Sequence, residues 1–173
     1  DTLGVATGAS FGAVLALLFT RNVFVVQLAA LAMGLAALAG TCMISRLNGK
    51  SSILMVVLGG MVVSSLFQAL VSLVKYVADP DEDLPAITYW LMGSMSRATY
   101  QGLAVGIPLI LLGVALLFLL RWKLNSMSLP EDEAKSLGIP VKRIRSLVIV
   151  GSAMVTAAVV SMCGQIGWVG LLI

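Results

Sequence analysis

The sequence predicts an all-α, polytopic helical membrane protein, and three observations predict it. Apolar residues make up 60% of the 173 and charged residues 11%, with a mean hydropathy of +1.05, far beyond what a water-soluble domain carries on its surface. Five stretches lack Asp, Glu, Lys and Arg altogether, each at least 19 residues long. The basic residues, finally, concentrate on alternate junctions between those stretches, the signature of a chain oriented across a bilayer.

The five runs are Thr2 to Thr20, Asn22 to Ser45, Ser51 to Val74, Ala98 to Leu120 and Ser146 to Ile173. A hydrocarbon core of ~30 Å needs about 20 helical residues, so each run is long enough to cross. Thr2 to Thr20 has no basic region before it and is followed by further runs, unlike a secretory signal peptide. The ten-residue alternation of barrel strands is missing, so the spans are helices. The last run, 28 residues, exceeds one upright helix. Its Cys163-Gly164-Gln165-Ile166-Gly167 segment is where a helix should end and another element begin. The chain opens at Asp1 without Met and stops inside an apolar run, so a piece of a longer polypeptide is expected, incomplete at both ends.

Orientation follows from the basic residues. Arg46, Lys50, Arg121, Lys123, Lys135, Lys142, Arg143 and Arg145 lie after the second and fourth runs, eight against the three (Arg21, Lys75, Arg97) after the first and third. The larger group is expected in the cytoplasm. Asp79, Asp81, Glu82 and Asp83 then lie outside, with Tyr76, Tyr89, Trp90 and Tyr100 expected as headgroup-level rings on that side and Trp122 on the inner side. The net charge of +3 and pI near 9.1 reflect these junctions and do not point to nucleic acid. With no His and two Cys, a His-based triad, a His/Cys zinc site and a disulfide framework lack their parts; no cofactor, metal site or catalytic residue is expected. Cys42 and Cys163 fall in opposite halves of the bilayer, too far apart to bridge.

Small residues recur every four positions at Gly4, Gly8 and Gly12, at Ala32, Ala36 and Gly40, and at Gly102 and Gly106, a spacing that lets helix backbones approach in lipid. Pro108, in mid-run, is expected to kink its helix. The third run carries Gly60, Ser64, Gln68 and Ser72 at four-residue steps, with Ser65 alongside. The pattern alone favours packing, with Gln68 as interhelical hydrogen-bond glue, over a stripe facing a water-filled pathway for a polar solute. No ionisable group lies inside any run, which argues against a proton relay or charge-coupled carrier. Gly49-Lys50-Ser51 imitates the end of a phosphate-binding loop, but that loop needs Gly five positions before the Gly-Lys pair and position 44 is Ile44. A short turn with Lys50 at the headgroups fits better.

Between Arg121 and Arg145 the residues read as ordered. Ser128 caps a helix, Pro130 takes its first turn, Glu131, Asp132 and Glu133 sit at the positive end of its dipole and Lys135 near the other. Gly138 supplies a left-handed stop and Pro140 opens a second helix. The pair is either a solvated connector or a rigid knob for a cytoplasmic partner, with Ala134 and Leu137 as apolar contacts.

Three elements in order, Tyr89-Trp90-Leu91-Met92-Gly93-Ser94-Met95, Leu129-Pro130-Glu131-Asp132-Glu133-Ala134-Lys135-Ser136-Leu137-Gly138-Ile139 and Gly164-Gln165-Ile166-Gly167-Trp168-Val169-Gly170-Leu171, resemble the FecCD-type permease subunits of ABC importers. Leu3-Gly4-Val5, followed by Gly8-Ala9, resembles the family's segment before a span. The third element departs in carrying Gln165 where the family usually has Pro. The resemblance covers essentially the whole chain and implies a fragment of a ten-span permease, holding roughly its third to seventh spans and the start of the eighth as one transmembrane domain over 1–173. It further implies two cytoplasmic ABC ATPase subunits, a second permease subunit, identical or related, and an extracytoplasmic solute-binding protein, in a bacterial inner membrane, importing iron–siderophore, haem or cobalamin. Residues 128–143 correspond to the coupling helices, with Glu131, Asp132, Glu133, Ala134, Leu137 and Gly138 meeting the ATPase. Ser64, Ser65, Gln68 and Ser72 correspond to the pathway-lining helix. An ion-coupled secondary transporter and a non-transporting membrane scaffold are the alternatives.

Overall fold

In the computed structural model, which describes residues 1–46, 53–95, 99–125 and 141–166, those residues form six helices and no strand. They are α1 (Val5–Phe19), α2 (Val23–Arg46), α3 (Ile53–Val77), α4 (Asp83–Leu91), α5 (Tyr100–Asn125) and α6 (Val141–Cys163). The segments 47–52 and 126–140, with the Gly49-Lys50-Ser51 turn and the whole Ser128 to Gly138 stretch, lie outside the described residues, as do 96–98 and 167–173.

Four helices, α2, α3, α5 and α6, are long and apolar enough to cross a membrane. α2 and α3 run antiparallel, as do α5 and α6, whereas α2 and α5 start at the same end; this gives the bundle a basic end, with Arg46 and Arg121, and an acidic end, with Asp79, Asp81, Glu82 and Asp83. α1 packs on α2, α3, α4 and α6, and α5 packs chiefly on α6.

The first run does not form a full crossing. α1 has 15 residues, a rise of about 22 Å, against roughly 36 Å for α2 and 38 Å for α3. Its start sits well below their basic ends. Thr41 Oγ1 donates to the Leu3 carbonyl at 3.0 Å and Ser64 Oγ donates to the Asp1 carbonyl at 3.2 Å, which puts the entry some 8–16 Å in, counted by helical rise. Gly4, with φ 72°, ends the irregular lead-in. The first-turn N–H groups of a helix need acceptors, and Asp1 supplies one: its Oδ2 accepts from Thr7 N–H at 2.8 Å and from Thr7 Oγ at 3.0 Å. The charge-free runs therefore keep acids out of the spans as expected, yet the fold brings Asp1 among them. An anion at a helix N-terminus is favourably placed.

α1 fits against α2 through Gly8 and Gly12, where a Cβ would strike Ala37 and Met33 or the Ala29 carbonyl and Met33. On α2 the expected small-residue face is wrong. Ala32 and Ala36 are exposed, while Ala30, Gly34 and Ala37 are buried; a two-residue offset turns a helix by about 200°, so a stripe read out of phase lands on the opposite side. Gly102 and Gly106 do face neighbours, at Gln27 and Met162. Pro108 lies within the single helix α5.

α4 was not legible in the runs. Its nine residues follow the Asp79-Pro80 turn, where Asp79 Oδ1 accepts from Asp81 N–H at 2.8 Å, and it descends from the acidic end into the bundle. This corrects the expected role of Trp90. The ring is 5% exposed and packs with Ala9, Ala13, Val26, Ala30 and Val160, so it fills the core where small residues leave room. Tyr76, Tyr89 and Tyr100 are exposed at the acidic end and Trp122 at the basic end.

Candidate translocation face

Two motifs that lie far apart in sequence meet at the tip of α4. Gly93 (φ 63°), within the Tyr89-to-Met95 element, follows the end of α4, and Gly164 (φ 77°) follows the end of α6. Ser94 N–H donates to the Cys163 carbonyl at 2.8 Å. A Cβ on Gly164 would reach 2.5 Å from the Trp90 carbonyl and one on Gly93 2.7 Å from the Gln165 carbonyl, so both positions need glycine for backbone sign and for space. The break read at Cys163 to Gly167 is real: α6 stops at Cys163. Ser10, 2% exposed on α1, donates to the Ala6 carbonyl at 2.8 Å and lies 3.3 Å from Gln165 Oε1. Cys42 and Cys163 are both free thiols.

The four serine and glutamine positions of α3 do not share one role. Ser64 is half-buried and bonds the entry of α1, as above. Ser65 Oγ donates to the Met61 carbonyl at 2.9 Å and Ser72 Oγ to the Gln68 carbonyl at 3.0 Å, each satisfied by its own helix as hydroxyls in apolar helices commonly are. Gln68 is exposed, and among the described residues its amide makes no interhelical hydrogen bond. The glue is elsewhere. Gln27, 2% exposed, donates through Nε2 to the Gly102 carbonyl at 3.0 Å and ties α2 to α5, and Thr41 ties α2 to the lead-in of α1. Sequence reasoning passed over both; the signal available was that they are among the few hydrogen-bonding side chains in an otherwise apolar run.

Gln68 and Ser72 open instead onto a cavity of about 170 Å³, shared with Thr7 and Ser10 of α1, Lys75 of α3 and Gln165 of the α6 turn. Counted by helical rise, it extends from about 3 Å below the acidic end of α3, at Lys75, to about 14 Å, at Gln68. Around it the surface of α3 is apolar and uncovered: Leu58, Met61, Val62, Leu66 and Leu73 are all exposed. Of the sequence-read site residues, Ser64, Ser65, Gln68 and Ser72 thus lie on α3, two of them at the cavity, while Glu131, Asp132, Glu133, Ala134, Leu137 and Gly138 fall outside the described residues. Among the described residues no group of His, Cys, Asp and Glu could hold a metal ion.

Four helices long and apolar enough to cross a membrane, packed with the shorter α1 and α4, define a multi-pass helical membrane protein with a polar cavity lined by α1, α3, Leu91 of α4 and the α6 turn. The chain belongs to the FecCD transport family, whose model matches residues 1–173. It is 40% identical over 99% of its length to a molybdate import system permease protein, MolB, of Haemophilus influenzae, covering 51% of that protein. It is 37% identical over 99% of its length to an iron chelatin transport system permease protein of Helicobacter pylori, again covering 51%. A solved structure of a metal-chelate type ABC transporter in an inward-facing conformation matches with a TM-score of 0.90 at 38% identity, over 99% of this chain and 55% of that one. The chain therefore spans about half the length of the curated relatives it matches, and with its four long apolar helices it is a multi-pass protein of the inner membrane.

Proposed function

We propose that this chain is part of the permease subunit of an ATP-driven importer for a metal chelate, an iron–siderophore complex or a chemically related metal-containing solute, and that it moves the solute inward by alternating access. It carries no catalysis of its own. Hydrolysis belongs to two cytoplasmic ATPase subunits, which meet the stretch from Glu131 to Gly138, and the Gln68/Ser72 face of α3 lines the passage at the junction with a second permease subunit. An extracytoplasmic binding protein delivers the solute at the acidic end. The carrying observation is that the polar face of α3 opens onto a cavity while the buried polar groups on the rest of the bundle are engaged internally, in a chain matched along its whole length by a transport family.

The relatives are named for molybdate, iron chelatin, hemin and cobalamin, solutes that have a bound metal in common, which supports a metal-containing solute as the cargo class. Replacing Ala134 by Trp, or Gly138 by Val, in the full-length protein reconstituted with its ATPase and binding protein tests the coupling. Hydrolysis is expected to continue while uptake falls at least tenfold; uptake equal to wild type would overturn the reading.

A further inference from the structure

We propose that the cavity between α1, α3 and the α6 turn is an anion-accepting subsite, in which Lys75 with the amides of Gln68 and Gln165 receives an anionic oxygen cluster, either a free inorganic oxyanion or the oxygen edge of a metal chelate. The assignment rests on the pathway reading above and adds a charge preference to it.

Charge comes first. Among the described residues Lys75 is the only ionisable side chain lining the cavity, and it has no ion-pair partner there. The Arg21–Glu82 pair at 2.9 Å uses other residues at the acidic end. The Asp1 carboxylate is tied to the lining through Thr7, whose N–H and Oγ both donate to it at the positive end of α1, an arrangement that stabilises the anion there. A cation in a low-dielectric concavity raises the local concentration of anions.

Hydrogen-bonding capacity agrees. The Ser72 and Thr7 hydroxyls already donate to the Gln68 carbonyl and, for Thr7, to Asp1 and Gly4. Ser10, whose proton goes to the Ala6 carbonyl, lies 3.3 Å from the Gln165 amide and engages one of its polar atoms; the Gln165 amide keeps at least one N–H, and Gln68 both, without a partner among the described residues. The unspent groups are therefore donors: an ammonium and two amides, a set suited to oxygen acceptors. The volume of about 170 Å³ is roughly ten times the room one water needs, enough for a compact oxyanion or one edge of a larger chelate. Gln165 matters particularly, because a proline in its place would supply no donor.

Charge-selective thiol labelling tests this. The full-length permease, with Cys42→Ala, Cys163→Ala and every cysteine outside residues 1–173 replaced by alanine, carries Ser72→Cys and is reconstituted with its ATPase and binding protein. Labelling rates are compared for a negatively charged sulfonate and a positively charged trimethylammonium methanethiosulfonate, each normalised to a free thiol. The sulfonate reagent is expected to react about fivefold faster, Lys75→Arg to keep that preference and Lys75→Met to abolish it. Protection by molybdate identifies a free oxyanion as the occupant, and protection by a ferric citrate chelate identifies a chelate edge. No preference with Lys75 present, a preference indifferent to Lys75→Met, or protection by neither solute would each overturn the subsite. ATP-driven uptake by the same vesicles separates the two readings: uptake without charge preference sinks the subsite alone, and charge preference without ATP-driven uptake sinks the importer alone.

Discussion

Two regions within a few helical turns of each other follow opposite rules. Where α4, α6 and α1 meet, backbone lies on backbone: Gly93 and Gly164 leave no room for a Cβ, and Trp90 is enclosed by Ala9, Ala13 and Ala30. On the adjoining face of α3, Gln68, Ser72 and Lys75 border an open cavity and large apolar side chains stand uncovered. In lipid, burial of apolar surface gives helices little reason to associate, so close approach and interhelical hydrogen bonds must hold the fixed part together. A face that keeps its polar side chains unspent while neighbouring ones are locked is suited to contact with something that comes and goes.

That contrast can be broken at the locked region first. Gly164→Val should rank with the most damaging changes, since it combines a left-handed backbone with a collision at the Trp90 carbonyl; the loss should reach roughly 2–5 kcal/mol and appear as a collapse of monodisperse protein in detergent. Gly12→Leu, which would drive a side chain into the Ala29 carbonyl, should act similarly. Trp90→Ala should cost roughly 3–5 kcal/mol through the cavity it leaves, read from thermal unfolding in detergent. A headgroup-level Trp would instead tolerate the change. Gln27→Leu should cost about 0.6 kcal/mol, the average for hydrogen bonds between membrane helices, and no more than about 1.7 kcal/mol. At the small end, Gln68→Leu should alter stability by less than about 0.5 kcal/mol while lowering uptake by the full-length transporter. A large stability loss there would mean that Gln68 is glue after all.

Much of the architecture was legible because charge and length are blunt signals: four of the five charge-free runs became long helices, and the break at Gly164 was marked by two glycines and a glutamine. The misses share a physical cause. Thr2 to Thr20 has the composition of a span, but Gly4 in the left-handed region and the Asp1 cap shorten it, and neither alters hydropathy. Trp90 reads as an interfacial ring because aromatic enrichment at headgroups is statistical; only the small residues of α1 and α2, brought together by folding, make a pocket for it. Ala32 and Ala36 have the right spacing in the wrong phase, and phase on a uniformly apolar helix is set by its neighbours. At the candidate face, the stripe of α3 was visible, but the division between self-satisfied serines and an unspent glutamine depended on hydrogen bonds no pattern encodes. Lys75 and Gln165 joined the cavity only through tertiary contact.

The central claim, that the stretch around Ala134 docks onto a separate motor, is tested most directly by crosslinking. Ala134→Cys in the full-length permease freed of Cys42, Cys163 and any cysteine outside residues 1–173, assembled with its ATPase and treated with a short bifunctional thiol reagent, should yield a permease–ATPase adduct whose amount changes when nucleotide binds. No adduct, together with labelling of that cysteine by an impermeant reagent added outside the cell, would contradict it.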